Sequence, residues 1–212
     1  SNEKFKFGTS KSIKINSKNG WVQRLSYVGE LGFEIYIKIN EAKEIYNLIV
    51  EKGKEFKLSH CGAHTMDTMR MESGFLHWGH DISPEEDQYQ AGLKFAISYK
   101  KGTDFIGKKN LLKLSNKNKS KRFIMLTLKN SSPGNPLLLH EEPIYLGDEI
   151  IGRTTSGNYS FNYNKNLSFG YIKSSLSNSE LAKKELFIEV EKKKYPAIIE
   201  LEPLKDKAFL KS

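Results

Sequence analysis

The sequence contains one cysteine, Cys61, and no apolar run that approaches the roughly 18 residues needed to cross a bilayer. A single cysteine excludes an internal disulfide and fits a reducing compartment. The first residues lack the apolar core of a secretory signal, and the chain starts with Ser1 in place of Met. We therefore expect a cytoplasmic chain without membrane association, and we expect it to be part of a longer protein.

Arginine is also scarce, with four residues, although lysine and arginine together number 34 and the net charge is +9. Arginine is the residue that binds base edges and phosphates with two parallel hydrogen bonds. Much of the positive charge lies in lysine-rich connectors at residues 115–122 and 191–194. Such turns are more often solvated surface than nucleic-acid sites. We expect no specific nucleic-acid partner, while a general attraction for small anions stays open.

The familiar catalytic and phosphate-binding motifs are absent: no G-x-G-x-x-G, no phosphate loop and no nucleophile elbow occurs. Two groups of residues could be considered as metal ligands. They are His60-Cys61-x-x-His64 and His77-x-x-His80-Asp81. Neither has the paired C-x-x-C spacing of a zinc site. The sequence therefore predicts no metal site and no self-contained catalytic set.

A strand interrupted by glycines, residues 24–39, is the most informative stretch. Gly29 and Gly32 interrupt good strand sequence, which indicates a bend where a ligand or another part of the chain approaches the backbone. Beyond them, apolar residues alternate with polar ones. The apolar side is Phe33, Ile35, Ile37 and Ile39, and the other side is Glu34, Tyr36 and Lys38.

Tyr27 and Glu34 could form a binding site for a flat heterocycle. A carboxylate presents two acceptor oxygens, which match two parallel donors such as the 2-amino and N3–H edge of a pterin or guanine. A nearby tyrosine could supply stacking area and a hydrogen bond. The residues alone leave a second interpretation open, in which Glu34 is an exposed strand residue and Tyr27 a core aromatic.

The first half of the chain has a mixed pattern and the second half is nearly all strand, which predicts an α+β region followed by a small barrel or sandwich. In the first half we predict strands at 12–15, 21–27, 33–39 and 93–98, a turn at 17–20 around Asn19-Gly20, and helices at 41–52 (capped by Asn40), 63–72 and 105–114. In the second half we predict strands at 123–128, 137–140, 143–146, 149–155, 168–172, 186–190 and 195–201, with turns at 147–148, 156–158 and 191–194.

Several motifs, in order, resemble the glycine cleavage T-protein (aminomethyltransferase) family. They are S-Y-V-G-E-L-G-F-E-I-Y, M-R-M-E-S-G-F-L-H-W-G-H-D-I, Y-Q-A-G-L-K-F-A-I and D-F-I-G-K-K-N-L-L, followed by T-T-S-G-N-Y-S, L-S-F-G-Y-I and Y-P-A-I-I-E-L-E-P-L. The later motifs are most similar to the tetrahydrofolate-binding C-terminal half of dimethylglycine and sarcosine dehydrogenases. The resemblance covers nearly the whole chain.

The resemblance implies roles for individual residues. In the family, the tyrosine and the final glutamate of Y-x-G-E-x-G-x-E line the folate pocket, which assigns folate binding to Tyr27 and Glu34. Supporting roles fall to Gly29 and Gly32, which shape the bend, with Glu30 structural. The family's R-x-E corresponds to Arg70 and Glu72, which we interpret as internal support for the loop that follows.

Two departures from the family pattern refine this interpretation. Met66 stands where aminomethyltransferases carry an arginine one turn before R-x-E, which favours the dehydrogenase branch. The family's catalytic aspartate comes from a segment upstream of the tyrosine motif, so we expect it, and any FAD domain, to lie outside this chain.

The resemblance implies a folate-binding α/β region at residues 1–114, which is incomplete, and a Greek-key β-barrel at 121–212. It implies transfer of a one-carbon unit from an N-methylated amino acid to tetrahydrofolate in the parent protein, with FAD only in an absent domain, and little activity in this chain alone. A non-catalytic folate-binding or regulatory module and a stand-alone glycine cleavage aminomethyltransferase remain alternatives.

Overall fold

The computed structural model describes residues 3–115 and 121–205, which form two compact units. The first unit contains residues 3–75 and Lys205, and the second contains 76–115 and 121–204. Residues 116–120, in the middle of the predicted boundary, lie outside the described residues, as do 206–212 at the end of the predicted barrel domain. The predicted domain limits at residues 114 and 121 stay a prediction.

An antiparallel sheet of three strands opens the first unit, in the order β1 (Ser10–Ile15), β2 (Lys18–Gln23), β3 (Glu34–Tyr36). The predicted turn at 17–20 is wrong, because Asn19 and Gly20 pair within β2. Asn16 and Ser17 form the turn instead, with φ angles of 45° and 66°. Two-residue hairpin turns that match the strand twist need positive φ at both positions, and asparagine tolerates it.

The predicted strand at 33–39 is shortened to β3, and the predicted strand at 21–27 ends at Gln23 with β2. Ile39 begins a 3-10 turn (Ile39–Glu41) that leads into the first helix, which ends the extended backbone. The apolar side of the predicted strand is not buried, since Phe33 is 50% and Ile35 42% exposed. Alternation therefore predicted that these side chains share one side of the strand, but it did not predict that this side is exposed.

Two helices complete the first unit, α1 (Ala42–Gly53) and α2 (Ala63–Glu72). The bounds predicted for α2 are confirmed. Asn40 does not cap α1, because it lies inside the preceding 3-10 turn and the N-cap residue Glu41 makes no side-chain cap hydrogen bond. Ile45 of α1 is fully buried.

The second unit starts with the irregular segment that precedes its barrel. The predicted strand at 93–98 is wrong: Lys94–Ala96 forms a 3-10 turn. The backbone polar groups here form hydrogen bonds within the turn and need no strand partner. The Ala96 N–H donates to the Leu93 carbonyl, and the Ile97 N–H donates to the Lys94 carbonyl. The predicted helix at 105–114 forms as α3 (Lys108–Ser115), which starts three residues later.

Six antiparallel strands close the barrel of the second unit, in the order β4-β7-β6-β5-β8-β9. Their bounds are β4 (Lys121–Leu128), β5 (Pro143–Leu146), β6 (Glu149–Ser160), β7 (Lys165–Lys173), β8 (Leu186–Val190) and β9 (Lys193–Glu200), with α4 (Asn178–Leu181) before β8. Three successive hairpin strands, β5 to β7, are followed by β8, which returns beside β5. This order is a Greek key, as predicted.

Three details of the barrel differ from the predictions. The turn predicted at 191–194 is limited to Glu191 and Lys192, because β9 begins at Lys193. Residues 137–140 form no strand, and residues 156–158 form no turn because β6 runs on to Ser160. Gly157 explains why β6 can continue there: a Cβ at this position would lie 2.5 Å from the Cβ of Leu138, so glycine allows the two segments to approach closely. The turn at Gly147-Asp148 is confirmed, with Leu146 opposite Glu149.

Aliphatic side chains from the barrel strands form the main core of the second unit. The fully enclosed members are Ile124, Leu126, Leu128, Leu138, Ile144, Ile151, Ile172, Leu181, Leu186, Ile188, Ala197 and Ile199. Burial of such side chains stabilises by about 1.5–3 kcal/mol each. Within the described residues, none of the helices has the length and apolar character required of a membrane span.

Candidate functional site

The segment between β2 and β3, residues 24–33, is held against the end of α2. The hydroxyl of Ser73, the residue that follows α2, donates to the Val28 carbonyl at 3.2 Å. Gly29 has φ of +72°, and a Cβ there would lie 2.0 Å from Ser73 Oγ. Only glycine therefore fits at position 29. The same hydroxyl also bonds to the Met69 carbonyl, which ties the bend to the helix.

Glycine is required at position 32 for a similar steric reason. A Cβ on this residue would lie 2.5 Å from the carbonyl oxygen of Leu25. At both predicted glycine positions, then, the close approach is made by the chain itself. The two glycines fold residues 25–32 into a tight bend that leads directly into Glu34 at the start of β3.

Glu34 is exposed, and its carboxylate accepts a hydrogen bond from the Tyr36 hydroxyl, with 2.5 Å between Oη and Oε2. The strand register places Gln23 opposite Glu34 and Trp21 opposite Tyr36. The Trp21 and Tyr36 rings are in contact, with centroids 5.2 Å apart and a tilt of 44°. These four residues, which we call the Glu34 cluster, therefore share one face of the sheet.

The hydrogen bond to Glu34 raises the pKa of the Tyr36 hydroxyl above its ordinary value, followed by contributions from burial and from the nearby carboxylate charge. Tyr36 is therefore a neutral donor at physiological pH. A carboxylate has about four acceptor positions, so one tyrosine hydroxyl leaves acceptor capacity for a ligand. The arrangement can hold a carboxylate in a fixed orientation beside two exposed aromatic rings.

Tyr27 is half-buried and lies within the bend between β2 and β3. The sequence analysis missed Tyr36 and Trp21 as members of the cluster around Glu34. Alternation could have found Tyr36, because it places Tyr36 on the face of Glu34. Trp21 lies opposite Tyr36 through the register between β2 and β3, which no adjacent turn signal sets.

Arg70 and Glu72 lie in the last turn of α2, each about 1% exposed, so their side chains are enclosed within the protein. The Arg70 guanidinium donates to Asp67 Oδ1 at 2.7 Å and to the Phe75 carbonyl at 3.1 Å. The Phe75 N–H bonds back to the Arg70 carbonyl at 2.9 Å. Arg70 thus fixes the chain where it leaves α2.

Glu30 has a partner inside the first unit, because the Lys205 ammonium donates to its carboxylate. The backbone N–H of Lys205 also bonds to the Glu72 carbonyl at 2.9 Å. Glu30 and Glu34, the two acidic residues of the motif, therefore have different surroundings. Glu30 is paired with a cation, whereas Glu34 is hydrogen-bonded to a neutral phenol.

In the second unit, Asp81 is fully buried and serves as an internal acceptor. Its carboxylate accepts from Thr155 Oγ1 at 2.5 Å, from Ser156 Oγ at 2.8 Å and from the His77 N–H at 2.9 Å. Its carbonyl accepts from the Tyr171 hydroxyl at 2.8 Å. These bonds attach the loop at residues 77–82 to β6 and β7.

The histidines considered as metal ligands are not assembled into a metal centre in the part of the chain that the structure describes, where no group of three or more ligating side chains occurs. The His77 and His80 rings are in tilted contact with centroids 4.6 Å apart, and His60 stacks on Tyr46 at 5.9 Å. Cys61 is exposed and has a free thiol.

A groove of about 660 Å³ is lined by residues of β4, β5, β6 and β7. Of its three basic residues, Arg153 donates to Glu141 at 2.7 Å and Lys121 pairs with Glu86 at 2.5 Å, whereas Lys173 is exposed. Burial, followed by the charges of Glu86, Asp81 and Asp87, raises the pKa of Tyr171 on the groove wall. The two ion pairs, together with Glu149 of the lining, offset part of the positive charge of the groove.

Comparisons with known proteins give a consistent result for both halves of the chain. Residues 1–101 match the model of the GCVT N-terminal domain, and residues 121–206 match that of the glycine cleavage T-protein C-terminal barrel domain. Human mitochondrial dimethylglycine dehydrogenase is 33% identical over 207 residues, which cover 96% of this chain and 23% of that protein. An aminomethyltransferase of Symbiobacterium thermophilum is 31% identical over 167 residues, which cover 78% of this chain and 44% of that protein.

A solved structure, the glycine cleavage system aminomethyltransferase T from Bartonella henselae, superimposes with a TM-score of 0.76 and 22% identity, over 93% of this chain and 52% of that protein. The structural match shows a shared fold. The chain thus spans less than half of the two curated relatives and about half of the solved structure. With both family models matched in order over most of its length, the chain belongs to the glycine cleavage T-protein family.

Proposed function

We propose that this chain is the tetrahydrofolate-binding part of a protein that transfers a one-carbon unit from an N-methylated amino acid to tetrahydrofolate. The observation that carries the proposal is the exposed Glu34 carboxylate, held by Tyr36 at the end of a glycine-shaped bend. Membership of the T-protein family, whose members use folate, supports the choice of ligand.

The donor and acceptor chemistry of the Glu34 cluster fits a pterin. The carboxylate would accept from the 2-amino and ring N–H donors of the pterin, which form a parallel pair. Tyr27, which resembles the tyrosine of the family motif, would supply ring surface and a hydroxyl. Arg70 and Glu72 are enclosed, so they would support the site through the backbone at the end of α2.

For the parent protein we propose a dehydrogenase of the dimethylglycine or sarcosine type. The support is that the dehydrogenase match extends over 96% of this chain, against 78% for the aminomethyltransferase. FAD would supply oxidation of the N-methyl group in such a protein, and no residue of this chain is assigned to it. The contribution of this chain would be to position the folate nitrogen and to exclude water, effects that can supply much of a rate enhancement.

Two measurements test the proposal. Isothermal titration of tetrahydrofolate into this chain should show saturable binding, and absence of binding would contradict the folate assignment. In the parent protein, turnover should occur with dimethylglycine or sarcosine and should form methylenetetrahydrofolate. Turnover with glycine-derived aminomethyl groups alone would instead assign the parent to the stand-alone aminomethyltransferases, and folate binding without any turnover would indicate a non-catalytic module.

A further inference from the structure

Gln23 places a side-chain amide next to the Glu34 carboxylate. It is the last residue of β2 and lies directly opposite Glu34, the first residue of β3. Directly opposite residues of an antiparallel pair have Cβ atoms about 4.5–5.5 Å apart, and their side chains project from the same face of the sheet. The amide and the carboxylate therefore stand side by side, where the bend leaves β2 and enters β3.

The fold itself makes no use of the Gln23 amide. Among the described residues, no hydrogen bond involves the Gln23 side chain, which is half-buried. In the other row of the Glu34 cluster, the Trp21 and Tyr36 rings contact each other, and the Tyr36 hydroxyl donates to Glu34. The amide thus keeps two N–H donors and one carbonyl acceptor for a ligand, beside a carboxylate with acceptor capacity of its own.

The pterin that we assign to Glu34 has three polar groups along the edge concerned. The 2-amino group and the N3–H are donors, and the adjacent O4 is an acceptor. A carboxylate has acceptors alone, so it satisfies the two donors and leaves O4 without a partner. An acceptor that is taken out of water and gains no donor weakens binding. A donor beside the carboxylate is therefore required, and the Gln23 amide supplies one at the spacing of a cross-strand pair.

Given the folate site of the proposed function, on which this step rests, we propose that Gln23 determines specificity by donating a hydrogen bond from Nε2 to O4 of the bound pterin. Glu34 and Gln23 then recognise the complete 2-amino-4-oxo edge, with one residue from each strand. The site selects rings that carry an acceptor at position 4, and this selectivity depends on the register between β2 and β3.

The test exchanges one atom of the ligand and one side chain of the protein. The ligands are tetrahydrofolate and its analogue in which sulfur replaces O4. The analogue keeps the 2-amino and N3–H donors, whereas sulfur is a weak acceptor. In Gln23→Met the side chain keeps about the same length but has no donor. Isothermal titration gives the dissociation constant of each ligand for each protein.

We expect the loss of the donor and the loss of the acceptor to have the same effect. The unmodified chain should bind the sulfur analogue about tenfold more weakly than tetrahydrofolate, and Gln23→Met should bind tetrahydrofolate about tenfold more weakly than the unmodified chain does. Gln23→Met should bind the two ligands within about threefold of each other, because the contact that distinguishes them is gone. A side chain with a purely structural role would leave the preference for oxygen unchanged.

Asn19→Met is the matched control. Asn19 carries an amide on the same strand and the same face, four residues and about 13 Å from Gln23, beyond the residues of β2 that pair with β3. This variant should bind both ligands as the unmodified chain does.

Glu34→Ala separates a failure of this proposal from a failure of the folate site. Weaker tetrahydrofolate binding in Glu34→Ala, together with an unchanged affinity or an unchanged preference for oxygen in Gln23→Met, would overturn the role of Gln23 alone. No tetrahydrofolate binding to the unmodified chain, or no loss in either variant, would overturn the proposed function and the role of Gln23 with it.

Discussion

The Tyr36 hydroxyl donates a hydrogen bond to the Glu34 carboxylate, and the two residues stand on the same face of β3. This contact orients the carboxylate that we assign to the pterin. It involves Tyr36, a residue to which the sequence analysis assigned no binding role. It also gives Glu34 a neutral partner, whereas Glu30 in the same motif is paired with the Lys205 ammonium. A neutral partner leaves the negative charge of Glu34 available to a ligand.

The contact between Tyr36 and Glu34 predicts the titration of a single tyrosine. Because the hydrogen bond raises the pKa of Tyr36, the hydroxyl should titrate above the ordinary value of about 10. The bond is then fully present below pH 10 and is lost as the pH rises through the raised pKa. In Glu34→Gln, the Tyr36 pKa should fall towards the ordinary value.

Carbon-13 NMR of labelled tyrosine rings measures this titration, with Tyr36→Phe used to assign the signal. Tyr145 is a suitable internal control, because a bond to Glu189 raises its pKa independently of Glu34. An unchanged Tyr36 pKa in Glu34→Gln would show that the contact does not persist in solution.

Gly29→Ala should destabilise the first unit by about 2–4 kcal/mol. Alanine is disfavoured in the left-handed backbone conformation of this position, and its Cβ would clash with Ser73. Gly8→Ala is the matched control, because Gly8 has a similar φ of +75° but open space around its Cα, so only the backbone cost of about 1–2 kcal/mol applies. Urea unfolding monitored by Trp21 fluorescence in a Trp78→Phe background measures the difference. Equal losses in the two variants would contradict the close approach to Ser73.

Asp81→Ala should destabilise the second unit by about 3 kcal/mol, because three donors lose a buried acceptor at once. Asp148→Ala, in the exposed hairpin turn between β5 and β6, should cost less than about 1 kcal/mol. The measurement is urea unfolding followed by Trp78 fluorescence in a Trp21→Phe background. If both aspartate variants unfold at the same urea concentration, Asp81 does not anchor the loop.

Much of the barrel was predictable because its signals are local. The strands at 143–146 and 186–190 and the turn at 147–148 follow from alternation and turn residues only a few positions apart. The predictions failed where distant segments decide the structure. Residues 156–158 have turn composition but continue β6, since Gly157 allows close packing on Leu138.

The bend of the candidate site was predictable from Gly29 and Gly32. The assignment of Tyr27 and Glu34 to folate comes from the family resemblance and stays a prediction. The contact of Tyr36 with Trp21 depends on the register between β2 and β3, which are separated by ten residues of chain. The segment that joins these two strands, residues 24–33, is an irregular bend, so no local turn signal sets their register.

The assignment of Glu34 to the pterin predicts the effect of removing its carboxylate. Glu34→Ala should weaken tetrahydrofolate binding by about 2 kcal/mol or more, because a charge-assisted pair of hydrogen bonds is lost. The same loss is expected in the full-length parent protein. Glu55→Ala is the control, since Glu55 is an exposed carboxylate of the first unit whose salt bridge is to Lys52, outside the Glu34 cluster.

The most direct test is the thermal shift of this chain with tetrahydrofolate, compared between the unmodified chain, Glu34→Ala and Glu55→Ala. A ligand that binds the folded state alone raises the melting temperature in proportion to its binding free energy. We predict a rise for the unmodified chain and Glu55→Ala and a much smaller rise for Glu34→Ala. No rise in the unmodified chain, or an equal rise in all three proteins, would contradict the proposal that Glu34 binds folate.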